Sequence, residues 1–118
     1  MLNLNHKKLD AWKLGIELVK RVYLMTQKLP KYEIYGLASQ LRRAAVSVPA
    51  NIAEGSSRRT PNDRKRFYEI ARSSLVEIDT LFEAAFSANL CARETTSELC
   101  ELMNALFAKL SRLIDKTK

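Results

Sequence analysis

The side chains that most often carry catalysis are scarce in this chain. His6 is the only histidine, and it lies in the polar N-terminal segment. A single terminal histidine leaves no Ser-His-Asp or Cys-His set to activate a nucleophile. Cys91 and Cys100 are the only cysteines. Two thiols make neither a disulfide framework nor a metal-ligand pattern. On one helix, nine residues apart, they would stand about 13.5 Å apart at 1.5 Å per residue, too far for a disulfide between them. No His/Cys/carboxylate cluster has metal spacing. The paired Glu-x-x-His motifs of di-iron bundles are absent. Gly15, Gly36 and Gly55 are isolated and form no phosphate-binding loop. The sequence therefore reads as a non-enzyme, with no cofactor, metal or small-molecule substrate.

The basic residues are more informative. Arg58 and Arg59 precede Arg64, Lys65 and Arg66, with Arg72 further along and Arg42 and Arg43 upstream. A planar guanidinium fork matches phosphate oxygens. A helix N-terminus adjoining such a cluster adds free backbone donors and positive dipole. Arg58, Arg59, Arg64, Lys65 and Arg66 are the candidate nucleic-acid contacts. The other reading is a solvated end whose charges pair with Asp63, Glu69 or a neighbouring subunit. Arg42 and Arg43 are better suited to structural ion pairs.

A second, polar set is Ser47, Asn51 and Glu54, facing Ser73, Ser74 and Glu77. Ser47, Asn51, Glu54, Ser74 and Glu77 together could make a buried hydrogen-bond network that fixes helix register. A ligand site is the alternative. Trp12 and Tyr23 have core spacing, with base stacking as the sharper alternative.

Helices must position these residues. Leu9, Trp12, Ile16, Val19, Tyr23 and Thr26 follow a 3-4-3-4-3 spacing, the core stripe of helix one. Leu14, Leu18, Val22, Met25 and Leu29 form a second apolar stripe. One bundle core does not usually need two, so the second is the candidate subunit interface. On that reading Leu18→Glu dissociates an assembly and leaves it helical. Leu37, Leu41, Ala44, Val48 and Ile52 face inward on helix two, which should kink near Pro49 because proline lacks a donor and crowds the Ala45 carbonyl. Gly55 suits the left-handed position past its end. Thr60-Pro61-Asn62-Asp63 starts helix three with an N-cap, an N1 proline and an acid at the dipole. Phe67, Ile70, Ser74, Ile78, Leu81, Ala85 and Ala88 form its inner stripe. Thr95 and Glu98 form a capping box for helix four, whose stripe is Leu99, Met103, Leu106, Leu110 and Leu113.

The expected fold is all-α: an antiparallel up-down-up-down four-helix bundle. It forms one domain over residues 1–118, with helices at about 6–28, 34–54, 61–88 and 95–115. The chain holds 47% hydrophobic and 28% charged residues, the balance of a globular domain. No segment offers the roughly 18 apolar residues of a membrane span. The N-terminus has no apolar signal core, so the expected compartment is the cytoplasm. The net charge is +7. Residues 1–60 carry 11 Lys/Arg against 4 Asp/Glu, and residues 61–118 carry 9 of each. All the excess sits in the first half, a bias that suits a polyanion partner or serves solubility.

Several runs carry a resemblance. Leu9-Asp10-Ala11-Trp12-Lys13 and Leu29-Pro30-Lys31-Tyr32-Glu33 come first. Tyr35-Gly36-Leu37-Ala38-Ser39-Gln40-Leu41-Arg42-Arg43-Ala44-Ala45 follows, then Ser47-Val48-Pro49-Ala50-Asn51-Ile52-Ala53-Glu54-Gly55. The last is Phe67-Tyr68-Glu69-Ile70-Ala71-Arg72-Ser73-Ser74-Leu75-Val76-Glu77. The chain resembles the bacterial four-helix-bundle family of proteins encoded in intervening sequences of 23S ribosomal RNA genes. The accessory variability protein of diversity-generating retroelements looks like a relative. The resemblance spans nearly the whole chain and departs at Ser73, where the family usually has glycine. It implies a homo-oligomer, most often a ring-like pentamer, with no known catalytic activity. In the retroelement relatives it implies a positive surface that meets nucleic acid and reverse transcriptase. The expected partners are thus further copies of the chain, and RNA or a nucleic-acid-processing enzyme. The competing reading is a protein-interaction scaffold that never touches nucleic acid.

Overall fold

A computed structural model describes all 118 residues. Four long helices, and no strand, make up the chain: α1 Asp10–Thr26, α2 Leu37–Ser56, α3 Pro61–Ser87 and α4 Ser97–Lys116. Each helix packs on its neighbours in sequence, and α1 also meets α4, so the four surround one core. No helix is long and apolar enough to cross a membrane.

The core corrects the sequence reading of α1. Its buried residues are Ala11, Gly15, Leu18, Val22 and Thr26. Leu18 and Val22 are fully buried, whereas Ile16 is 46% and Tyr23 40% exposed. Leu18, Val22 and Leu29 of the stripe expected to face a subunit belong to the core, and the stripe expected to be core is partly exposed except at buried Thr26. Small residues explain the exchange. At Gly15 an added Cβ would stand 3.2 Å from Pro49 Cβ, so α1 approaches α2 closely at this glycine. Large apolar residues flanking so close a contact are turned outward. Leu18→Glu would therefore put a carboxylate in the core rather than at an interface.

Helix α2 passes through Pro49 without a break, and Pro49 is buried. It starts at Leu37 rather than at 34 because Glu33 Oε2 accepts the Leu37 backbone N–H at 3.1 Å and caps it. Its expected apolar face holds, with Leu41, Ala44, Val48 and Ile52 all buried.

Gly55 is not a left-handed residue past the helix end; no glycine has positive φ, and α2 continues to Ser56. It is a contact glycine instead. An added Cβ would lie 2.8 Å from Tyr68 Cε1 and 3.0 Å from Phe67 Cβ. Across this seam α3 buries Tyr68, Ala71, Leu75, Ile78, Phe82 and Ala85. Apart from Ile78 and Ala85, the expected inner stripe is thus displaced by one residue, and Ile70 is 39% exposed. Thr60 does cap α3, its Oγ1 accepting the Asp63 backbone N–H at 3.1 Å.

At the far end of α3, Asn89 adopts a left-handed φ of 58°. The Leu90 N–H donates to the Ala85 carbonyl and the Asn89 N–H to that of Phe86, closing a Schellman turn. The expected capping box on α4 does not form. Thr95 and Thr96 donate back to the Ala92 and Arg93 carbonyls, and Glu98 pairs with Arg21 at 2.8 Å. Cys91 falls in this turn and Cys100 in α4, so they do not share a helix; both thiols are free.

Candidate nucleic-acid interface

The basic residues converge on the junction between α2 and α3. That junction is short because Gly55 lets α3 fold back tightly against α2. Arg64, in the first turn of α3, donates Nη1 to the Arg58 carbonyl at 3.1 Å and to the Arg59 carbonyl at 2.8 Å. One guanidinium thereby holds the loop in shape. Arg58 reaches back to Glu54, Nη2 to Oε2 at 3.2 Å. Its Cζ also stands 4.7 Å from the Phe67 ring centroid, and Arg66 Cζ stands 4.8 Å from the same centroid. Phe67 is a shared platform for two guanidiniums.

The five candidates thus divide by role. Arg64 is structural. Arg58 and Arg66 are oriented by Phe67, with Arg58 partly neutralised by Glu54. Arg59 and Lys65 form no salt bridge. Asp63 and Glu69 do not pair with the cluster; Glu54 does. A fixed loop, several cations and the N-terminus of α3 on one edge suit phosphate oxygens.

The polar set is brought together in part. Ser47 Oγ and Ser74 Oγ lie 2.9 Å apart, and Asn51 Nδ2 donates to the Ser47 hydroxyl at 2.9 Å and carbonyl at 2.8 Å. Ser74 also returns a bond to the Ile70 carbonyl. The Ser47–Ser74 bond ties α2 to α3, and Asn51 holds Ser47 from within α2. Glu54 belongs to Arg58 instead. Glu77 and Ser73 are exposed and outside the network.

The other arginines are largely occupied. Arg42 Nε donates to Thr26 Oγ1 at 2.8 Å and its Cζ sits 4.8 Å from the Tyr23 ring centroid. Thr26 is buried, so Arg42 satisfies a core hydroxyl. Arg72 bonds Ser111 Oγ and lies over Phe107. Arg93 grips Glu83 with two 2.8 Å bonds and covers Phe86. Hydrogen bonding to Arg93 holds the Glu83 carboxyl below its ordinary value, and the same bond holds Arg93 above its own. Arg43 is exposed. Trp12 is half-buried beneath the His6 ring, edge-on at 5.4 Å. No group of three His, Cys, Asp or Glu side chains is placed to hold a metal ion.

The sequence reading missed two apolar hollows. One lies on α1 and α2, about 530 Å³, and includes Ile16, Val19, Lys20 and Val46. A neighbouring hollow of about 420 Å³ shares Val46 and adds Tyr35 and Arg43. The other lies between α3 and α4, as adjoining cavities of about 320 and 270 Å³ that share Asp79, Cys100 and Met103. The doubled stripe of helix one was the available signal for the first hollow.

The family model for the 23S rRNA-intervening sequence protein matches residues 7–112. The chain belongs to this family. No curated protein matches it.

Proposed function

We propose, with that membership as the premise, that this chain is a non-enzymatic, basic, oligomeric bundle protein of the cytoplasm that binds RNA through its phosphates as an accessory factor. The observation that carries the reading is the α2–α3 junction. There a rigid loop presents Arg58, Arg59, Lys65 and Arg66 beside a helix N-terminus, with Glu54 the only acid engaged. Each subunit offers a few weak contacts. A homo-oligomer, the pentamer the family resemblance implies, multiplies them through effective concentration. Phosphate contacts carry no sequence information directly, so on this reading affinity depends on salt and little on sequence. No cofactor and no small-molecule substrate enter this reading.

Antiparallel order within the bundle completes it. Asp10 at the start of α1 meets Lys109 late in α4, and Arg21 late in α1 meets Glu98 early in α4. Gly55 near the end of α2 meets Tyr68 near the start of α3, and Glu83 late in α3 meets Arg93 just before α4. These contacts support an up-down-up-down course. A bend of α2 at Pro49 belongs to the same reading.

Labelled single-stranded RNA, titrated by anisotropy across a salt series, tests the function. The comparison is wild type against Arg59→Ala/Lys65→Ala/Arg66→Ala, which spares the loop-holding Arg64. Binding should weaken at least about tenfold, and the log–log salt slope should fall by about 0.7 for each phosphate that is no longer neutralised. No binding by wild type at low salt would refute the reading. The apolar hollows favour a second reading, a protein-interaction scaffold, and that result would leave it standing.

A further inference from the structure

The two apolar hollows differ in charge. No acidic residue lines the α1–α2 hollows, and their exposed cations include Lys20 and Arg43. The α3–α4 groove is lined by Asp79 and Glu83, and its one cation, Arg93, is consumed by Glu83. Lys20 and Asp79 form no salt bridge within the chain. Each stands among apolar neighbours. Ile16 and Val46 flank the Lys20 side, at 46% and 44% exposure, and Val76 and Phe107 the Asp79 side, at 54% and 41%. The two surfaces belong to different helix pairs and cannot meet within one chain.

We propose that the α1–α2 face of one copy docks in the α3–α4 groove of the next, with Lys20 placed against Asp79 of that copy. The inference rests on the oligomeric part of the function proposed above and names its surfaces. Charge selects this pairing over the alternatives. Two α1–α2 faces brought together would set Lys20 and Arg43 against the same cations. Two α3–α4 grooves would set carboxylate against carboxylate. Only the unlike pair joins apolar surface to apolar surface while neutralising both residual charges. Such a contact uses different patches on the two partners, so it is heterologous, and it closes into a ring or runs on as a filament. It leaves the α2–α3 junction outside the contact. Repeated around an assembly, that edge becomes an array of cations.

Charge exchange tests the pairing, with mass measured by sedimentation and helicity by circular dichroism. Lys20 and Asp79 are exposed, so single substitutions should leave the fold intact. Lys20→Glu and Asp79→Lys should each weaken self-association by about tenfold or more, because each sets like charges face to face. The chain carrying both should recover the wild-type assembly. An assembly that neither single reversal weakens, or that the double variant fails to recover, would overturn the docking mode while leaving the oligomer in place. A monomeric wild type at high concentration would overturn both the docking and the oligomeric reading.

Discussion

Gly55→Ala separates contact from conformation at the seam that supports the basic edge. Intrinsic helix propensity favours alanine by about 1 kcal/mol in a helix interior. A glycine kept only for its backbone freedom would give that gain, since Gly55 has no positive φ. The contacts point the other way. The new methyl would meet Tyr68 Cε1 at 2.8 Å, Tyr68 Cδ1 at 3.0 Å and Phe67 Cβ at 3.0 Å. Carbon pairs settle near 3.5–4.0 Å, so the ring must retreat by roughly 0.5–1 Å. Tyr68 is 4% exposed and its hydroxyl lies 2.9 Å from Ser56 Oγ, which leaves it little room. Overpacking of this kind costs about 1–3 kcal/mol, and straining the hydroxyl bond adds about 1 kcal/mol. The net expectation is a loss of about 1–3 kcal/mol, read as a lower urea midpoint at unchanged slope. RNA affinity should fall too, because Phe67 carries Arg58 and Arg66. A midpoint that rises by the propensity gain would refute the close approach and the positioning role drawn from it.

Leu18→Glu should unfold the chain rather than dissociate it. It places a carboxylate at a fully buried site, at a cost of about 4 kcal/mol or more, whereas Ile16→Glu on the half-exposed stripe should stay helical; circular dichroism of the two variants decides. Arg93→Gln should lower stability in a pH-dependent way. Arg93 holds the Glu83 carboxyl below its ordinary 4.5, so this contribution is fully present above that pH and is lost as pH falls through the lower folded value. The stability gap between wild type and variant should therefore close on acidification, and a gap that stays constant from neutral to strongly acid pH would exclude the pair as its source.

Large-residue periodicity placed the helices well and rotated two of them wrongly. Four helices, the Thr60 cap and the α2 core face were legible because propensity, capping chemistry and spacing agree there. In α1 and α3 the buried line runs through Ala11, Gly15 and Ala71, and such residues add little to a hydrophobic pattern. They govern how closely helices approach, a property of pairs of helices that no single stripe displays. Gly55 misled for the same reason: its position suggested a terminator, while its neighbours Phe67 and Tyr68 lie more than ten residues away in sequence. The basic run was visible in full. Its division into a loop-holding Arg64, platform-bound Arg58 and Arg66, and unpaired Arg59 and Lys65 depends on the folded-back loop.

That division changes what the net charge of +7 means. Counted along the chain, the first half holds all the excess, as if any of its cations could serve a polyanion. In the fold, Arg42 is committed to Thr26 and Tyr23, and Arg21 to Glu17 and Glu98. Arg42 on Tyr23, Arg66 on Phe67 and Arg72 on Phe107 each have an aromatic ring and no acid as partner. A ring face holds a guanidinium without neutralising it, so the charge stays available while the side chain loses its freedom. Phe67 holds Arg66 in this way and shares Arg58 with Glu54, beside a helix N-terminus, on an edge that the proposed docking leaves uncovered. Preorganised charge of this kind reduces the ordering cost of each phosphate contact. On the proposed function, that gives Phe67 a part in binding it would not have as a core residue.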